Sequence, residues 1–220
     1  MRLLYYIYYN WFYKFVLQRY LRSDRTVRFE EFDLLVKKNV FHPGLFFSTR
    51  FLFDFIKELD LTGKRFFEIG CGSGVLSLLA AKKGADVAAV DLDPIAIENT
   101  KINFRNNLPD KSYKLFQSNV YSAVPSDKFD VVIANPPYFF KVPEKPGQHA
   151  WYCGENGEFF EDFFAGLKSH LNDRSKVYMI LAENCNLNRI SAIAAKNNLR
   201  LELVRERTIK WEKNYIYQIV

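Results

Sequence analysis

Asn135-Pro136-Pro137-Tyr138 is the stretch of this chain whose residue types most clearly suggest chemistry. Two adjacent prolines hold the backbone extended and withhold two N–H donors. The Asn135 side-chain oxygen and the Pro136 carbonyl are then free to accept hydrogen bonds at one place. A planar –NH2 group donating to both is drawn toward sp3 geometry, which turns its lone pair toward an electrophile. Tyr138 can stack on a flat acceptor and favour positive charge developing on its nitrogen, a cation–π effect of ~0.5–2 kcal/mol. No base need act first, because the proton can leave after the transfer.

A second group lies upstream, in Glu68-Ile69-Gly70-Cys71-Gly72-Ser73-Gly74. Glycines at alternate positions let a backbone turn tightly and approach a ligand with no Cβ in the way. Asp91 closes the next strand-like run, where a carboxylate can accept hydrogen bonds from ribose hydroxyls. A dinucleotide fingerprint would require glycine at position 75, and the chain has Val75. Glu68 would repel a pyrophosphate yet suit a cationic ligand.

Glu-x-Gly-x-Gly-x-Gly resembles motif I of the class I S-adenosylmethionine (SAM) methyltransferases. Asn-Pro-Pro-Tyr resembles the motif of methyltransferases that modify planar nitrogens: adenine amines in nucleic acids, or the glutamine amide of release factors in the HemK-like enzymes. With Asp91, the likeness covers about Phe41 to Leu181. It implies SAM as cofactor, with Glu68 toward its ammonium and Gly70, Cys71, Gly72 and Gly74 along its methionine end. Asp91 would take the ribose, and Leu92, Asn119 and Val120 the adenine. Phe41, Pro43 and Ser48 would come from the segment before motif I, and Asn135, Pro136, Pro137 and Tyr138 would be catalytic. Asn119 departs from the acidic residue usual there.

Trp151-Tyr152-Cys153-Gly154 through Glu158 resembles the Trp-x-Gly-Gly segment of single-domain HemK-like glutamine methyltransferases, with Cys153 departing from the first glycine. This favours a protein glutamine in a translation factor. Phe139 keeps open the alternative, an exocyclic base amine in ribosomal or transfer RNA. A third reading is a non-catalytic or membrane-associated SAM-binding module.

These residues need a scaffold, and the pattern supplies one. Strand-like runs at Arg65 to Ile69, Asp86 to Val90, Tyr113 to Gln117, Asp130 to Ala134 and Val177 to Leu181 alternate with helical segments, among them about Thr49 to Leu59, Gly74 to Lys83 and Glu158 to Leu171. Asp93-Pro94 opens another helix as a cap followed by proline. The expected fold is α/β: a doubly wound, Rossmann-like seven-stranded sheet. An antiparallel C-terminal strand comes from Arg200 to Glu206 and Tyr215 to Val220, turning near Lys213-Asn214. A helix and a hairpin (Thr26 to Phe29, Phe32 to Lys37) form an N-terminal extension over residues 1–40, ahead of a methyltransferase domain over 41–220.

Of 220 residues, 49% are hydrophobic and 25% charged, which excludes wholesale disorder. Three cysteines rule out a disulfide framework and indicate a reducing compartment, and His42, His149 and His170 lack metal-ligand spacing. A cytoplasmic enzyme without a metal is expected. The net charge of +6 is concentrated at the start: residues 1–28 hold six basic side chains against Asp24 alone, while the rest holds 25 basic and 24 acidic. Such an arm suits RNA or another acidic surface. Its aromatic run, Leu3 to Tyr13, is too short and interrupted to span a bilayer.

Overall fold

The computed structural model describes residues 23–145, 147–209 and 212–220. The N-terminal helix expected from the sequence lies outside them. A hairpin, β1 (Arg25–Phe29) and β2 (Phe32–Val36), precedes helix α1 (Phe47–Glu58). Strand and helix then alternate as β3 (Arg65–Ile69), α2 (Val75–Lys82), β4 (Asp86–Asp91), α3 (Pro94–Asn107), β5 (Tyr113–Gln117) and β6 (Phe129–Ala134). After α4 (Glu158–Leu167) come β7 (Leu171–Ala182), α5 (Leu187–Lys196), β8 (Leu201–Ile209) and β9 (Glu212–Ile219).

Seven strands form one sheet in the order β5-β4-β3-β6-β7-β9-β8, parallel except for β9, which runs antiparallel to both neighbours. This is the expected doubly wound sheet with its antiparallel C-terminal strand. Winding reverses between β3 and β6, so a crevice opens at their carboxyl ends.

Alternation along the strands divides the core in two. Phe66, Val131, Ile133 and Ile180 face α1, α2 and α3, together with the hairpin's Phe29, Phe32, Leu34 and Val36. Phe67, Val132, Ala134 and Met179 face α4 and α5, where Phe160, Phe163, Phe164 and Leu167 are buried at helical spacing. Asp93 caps α3 by accepting from Ile95 N at 2.8 Å, with Pro94 at the first helical position.

Three details depart from the sequence reading. Lys213 and Asn214 are strand residues, paired with Thr208 and Arg207, and Ile209 pairs with Glu212, so the reversal falls before them. Strand β7 begins at Leu171, six residues ahead of its apolar run, because Leu171 still pairs with Phe129 across a register shift. Helix α5 was not foreseen. Asn186 caps it, and Ile190, Ile193 and Ala194 bury one face.

Candidate active site

The carboxyl ends of β3, β4 and β6 surround a cavity of about 400 Å3. Gly70, Cys71 and Gly72 line it from the β3–α2 turn, Asp91 and Leu92 from the end of β4, and Asn119 and Val120 from the segment after β5. Asn135, Pro136, Pro137 and Tyr138 line it from the end of β6, and Phe41, Pro43 and Ser48 from the segment leading into α1. Two sequence motifs 60 residues apart thus meet because β3 and β6 are neighbours in the sheet.

Backbone hydrogen bonds define the glycine turn. Gly70 N and Cys71 N donate to Val90 O at 2.8 and 3.0 Å, and Gly72 N donates to Asp91 Oδ2 at 2.9 Å. Gly74 is the one predicted glycine that does not line the cavity. It has φ +77° and faces α3, where a Cβ would lie 2.6 Å from Thr100 Cγ2. The left-handed backbone and the close approach of Thr100 both call for glycine there.

At the other wall, Asn135 Nδ2 lies 3.4 Å from both Ser48 Oγ and Thr49 Oγ1. With the amide nitrogen turned to two hydroxyls, the side-chain oxygen is left as an acceptor for a bound –NH2 group. The loop continues into a parallel bridge between Phe139 and Tyr152, in which Phe139 N donates to Trp151 O and Cys153 N to Phe139 O. Trp151 packs on Phe41 and Phe46, with ring centroids 5.1 and 4.7 Å away.

The model of the Methyltransferase small domain matches residues 31–200. The chain belongs to that family. It is 42% identical over 95 residues to the ribosomal protein L11 methyltransferase of Oceanobacillus iheyensis, covering 43% of this chain and 29% of that protein. It spans only about a third of the length of the curated relatives it matches. Among solved structures, it resembles the E. cuniculi Mtq2-Trm112 complex responsible for methylation of the eRF1 translation termination factor. There the TM-score is 0.62 at 21% identity, over 82% of this chain and 98% of that one. It also resembles the T. thermophilus 16S rRNA N2 G1207 methyltransferase RsmC in complex with AdoMet and guanosine, with TM-score 0.64 at 15% identity over 89% and 50%. At these identities the likeness shows the fold.

As a small-domain methyltransferase, the chain is of the SAM-dependent class, and the cavity's chemistry fits that cofactor. Its lining includes Glu68, Asp91, Asp93, Glu155, Glu158 and Asp162 and, among the described residues, no lysine or arginine. That wall suits a sulfonium and an ammonium and disfavours a pyrophosphate. Burial pushes the Glu68 carboxyl up to about 8, against the opposing hydrogen bonds from Ser77, whose N donates at 2.9 Å and whose hydroxyl also donates to Oε2. Burial likewise pushes Asp91 up to about 6, although Asp93 N and Gly72 N donate to it. Both carboxyls therefore favour a ligand that brings positive charge or hydroxyl donors. Burial also raises Tyr138 to about 12, which keeps its phenol protonated.

Thr49 and Asp162 are among the residues of this methyltransferase site that sequence reasoning missed. Thr49 joins Ser48 at Asn135; its place in the first turn of α1 was the available signal. Asp162, one turn into α4, accepts from Asn119 Nδ2 at 2.7 Å and lines the cavity, and nothing local in the sequence announces it. Val120 holds φ +46°, which a β-branched residue rarely adopts, beside the same cavity. Among the described residues, no helix is long and apolar enough to cross a membrane.

Proposed function

We propose that this chain methylates a planar amide or amine nitrogen, and that its substrate is a glutamine side chain of a translation factor. The observation that carries the reading is Asn135: its nitrogen is turned to Ser48 and Thr49, and it lines the cavity together with Pro136. Asn135 and Pro136 accept from the two N–H bonds of the acceptor and hold its lone pair in line. Pro137 keeps the loop extended, and Tyr138 packs on the acceptor plane and favours charge on nitrogen.

SAM, when bound, supplies an electrophilic methyl group on its sulfonium. Glu68 would attract the ammonium end of that cofactor, Gly70, Cys71 and Gly72 would flank the methionine, and Asp91 would accept from the ribose. Leu92 and Val120 would pack on the adenine, and Asn119 would accept from the adenine amine through its amide oxygen. Phe41, Pro43 and Ser48 close the cavity from the α1 side. The N–C bond forms as the S–C bond breaks, and the extra proton on nitrogen passes to water, so no side-chain base is required.

Three observations favour a protein acceptor. The cavity wall carries several acidic residues and, among the described residues, no lysine or arginine. The Trp151 segment, whose sequence resembles that of HemK-like enzymes, is hydrogen-bonded to the loop that follows Asn135. A fold neighbour is named for methylation of a translation termination factor. A second reading, an exocyclic amine of ribosomal RNA, is favoured by the fold neighbour in complex with AdoMet and guanosine. Either substrate places the enzyme in the cytoplasm, with a 41–220 catalytic domain and a basic 1–40 extension that contacts an acidic partner surface. The test is labelled methyl transfer from SAM into lysate of a strain lacking the protein, followed by protease or nuclease. Label lost to protease supports the glutamine reading; label lost only to nuclease replaces it with the RNA reading.

A further inference from the structure

Asn99, Asn103 and Asn107 lie four residues apart on α3 and so share one face of the helix. Together they address the backbone of β2 and of Lys37 just beyond it, at alternate residues. Asn99 Oδ1 accepts from Lys37 N at 2.7 Å, and its Nδ2 donates to Leu35 O at 2.7 Å. Asn103 Oδ1 accepts from Leu35 N and its Nδ2 donates to Leu35 O, both at 2.8 Å. Asn107 does the same with Asp33 N and O at 3.0 and 2.9 Å. Four helical residues rise about 6.0 Å and two strand residues about 6.6–6.8 Å. A run of asparagines at this spacing can therefore stand in for a third strand along the open edge of β2.

One rung does more. The second N–H of the Asn103 amide donates to Ser73 O at 2.9 Å, so this buried side chain ties the hairpin to the glycine turn. Thr100, also buried, places its hydroxyl 3.1 Å from Gly72 O and its methyl against Gly74. Two successive carbonyls of the turn are thus anchored on α3, while Gly72 N is anchored on Asp91 from the opposite side. The Asn107 amide bonds Asp33 and, within its own helix, Asn103 O at 2.9 Å, rather than the turn.

We infer that Asn103 and Thr100 are positioning residues for the cofactor-binding turn, and that the β1–β2 hairpin braces them and so belongs to the SAM-binding apparatus. The inference rests on the reading that this turn holds SAM. Removing the Asn103 amide unties Ser73 O and strands Leu35 N–H, while Leu35 O keeps its bond from Asn99 Nδ2. Thr100→Val removes one hydroxyl at constant shape.

The experiment compares Asn103→Ala, Thr100→Val and Asn107→Ala in the full chain. It reads SAM affinity by calorimetry, hydrogen exchange of the amides at 72–77 without SAM, and turnover at saturating SAM. Asn103→Ala and Thr100→Val are expected to weaken SAM about tenfold, to speed exchange in the turn, and to leave saturated turnover within about twofold. Asn107→Ala is expected to lower the melting temperature while SAM affinity stays at the wild-type value. If Asn103→Ala does not fold, Thr100→Val decides. Unchanged SAM affinity in both would overturn the proposal, as would Asn107→Ala weakening SAM equally. Wild-type protein that fails to bind SAM would instead overturn the functional reading beneath it.

Discussion

Glu68 sits at the end of β3 with its carboxyl raised to about 8 by burial, facing a cavity expected to take a cation. In the ligand-free protein the group is mostly protonated at pH 7, and a bound ammonium favours its ionised form. Binding should therefore release a proton, and SAM affinity should rise with pH between about 6 and 8, by at most about tenfold per unit. Calorimetry in buffers of different ionisation enthalpy checks this, and Glu68→Gln should flatten the profile. The sign for stability is opposite. Between the ordinary carboxyl value of 4.5 and about 8, the native state keeps a proton that the unfolded chain has lost. This group's contribution to ligand-free stability therefore falls as pH rises through that window, and urea midpoints at pH 5.5 and 8.5 would show it. The two motifs were legible in the sequence because each is contiguous and its chemistry follows from residue type. Thr49, Asp162 and Asn103 were not, because they reach the site only when α1, α4 and α3 dock against the sheet.

The elements that carry these residues were legible wherever apolar periodicity is unbroken. β5 falls on Tyr113–Gln117 as expected, and α1 and α2 begin or end within two residues of expectation. Polar stretches hid the rest. Asn172 to Lys176 gave no sign that β7 extends back to Leu171, and α5 has only three fully buried residues to mark it. The link between α2 and α3 yields a further prediction. Gly74→Ala forces a left-handed alanine whose Cβ meets Thr100, and it should cost about 1–3 kcal/mol, read as a lower melting temperature. Thr100→Ser, which removes the obstructing methyl, should recover part of that loss in the double variant.

At the scale of the whole molecule, the excess cationic charge is unevenly placed along the sequence: most of it lies in residues 1–28, whereas the residues that line the cavity include several acidic ones. A partner gripped by that arm would lose affinity steeply with salt, whereas the acceptor in the cavity would be chosen by shape and hydrogen bonds. Deleting the arm's arginines should reduce the salt dependence of substrate binding without changing SAM affinity, measured by titrating both ligands at two salt concentrations. Ligand binding should also stabilise the whole fold: SAM at 100 times its Kd contributes about 2.7 kcal/mol.

The most direct test of planar-nitrogen methylation is the rate of labelled methyl transfer by Asn135→Ala beside wild type, with SAM affinity measured on both. The account predicts a loss of about tenfold or more in transfer rate, with SAM affinity within about twofold of wild type. Full turnover by Asn135→Ala would contradict it.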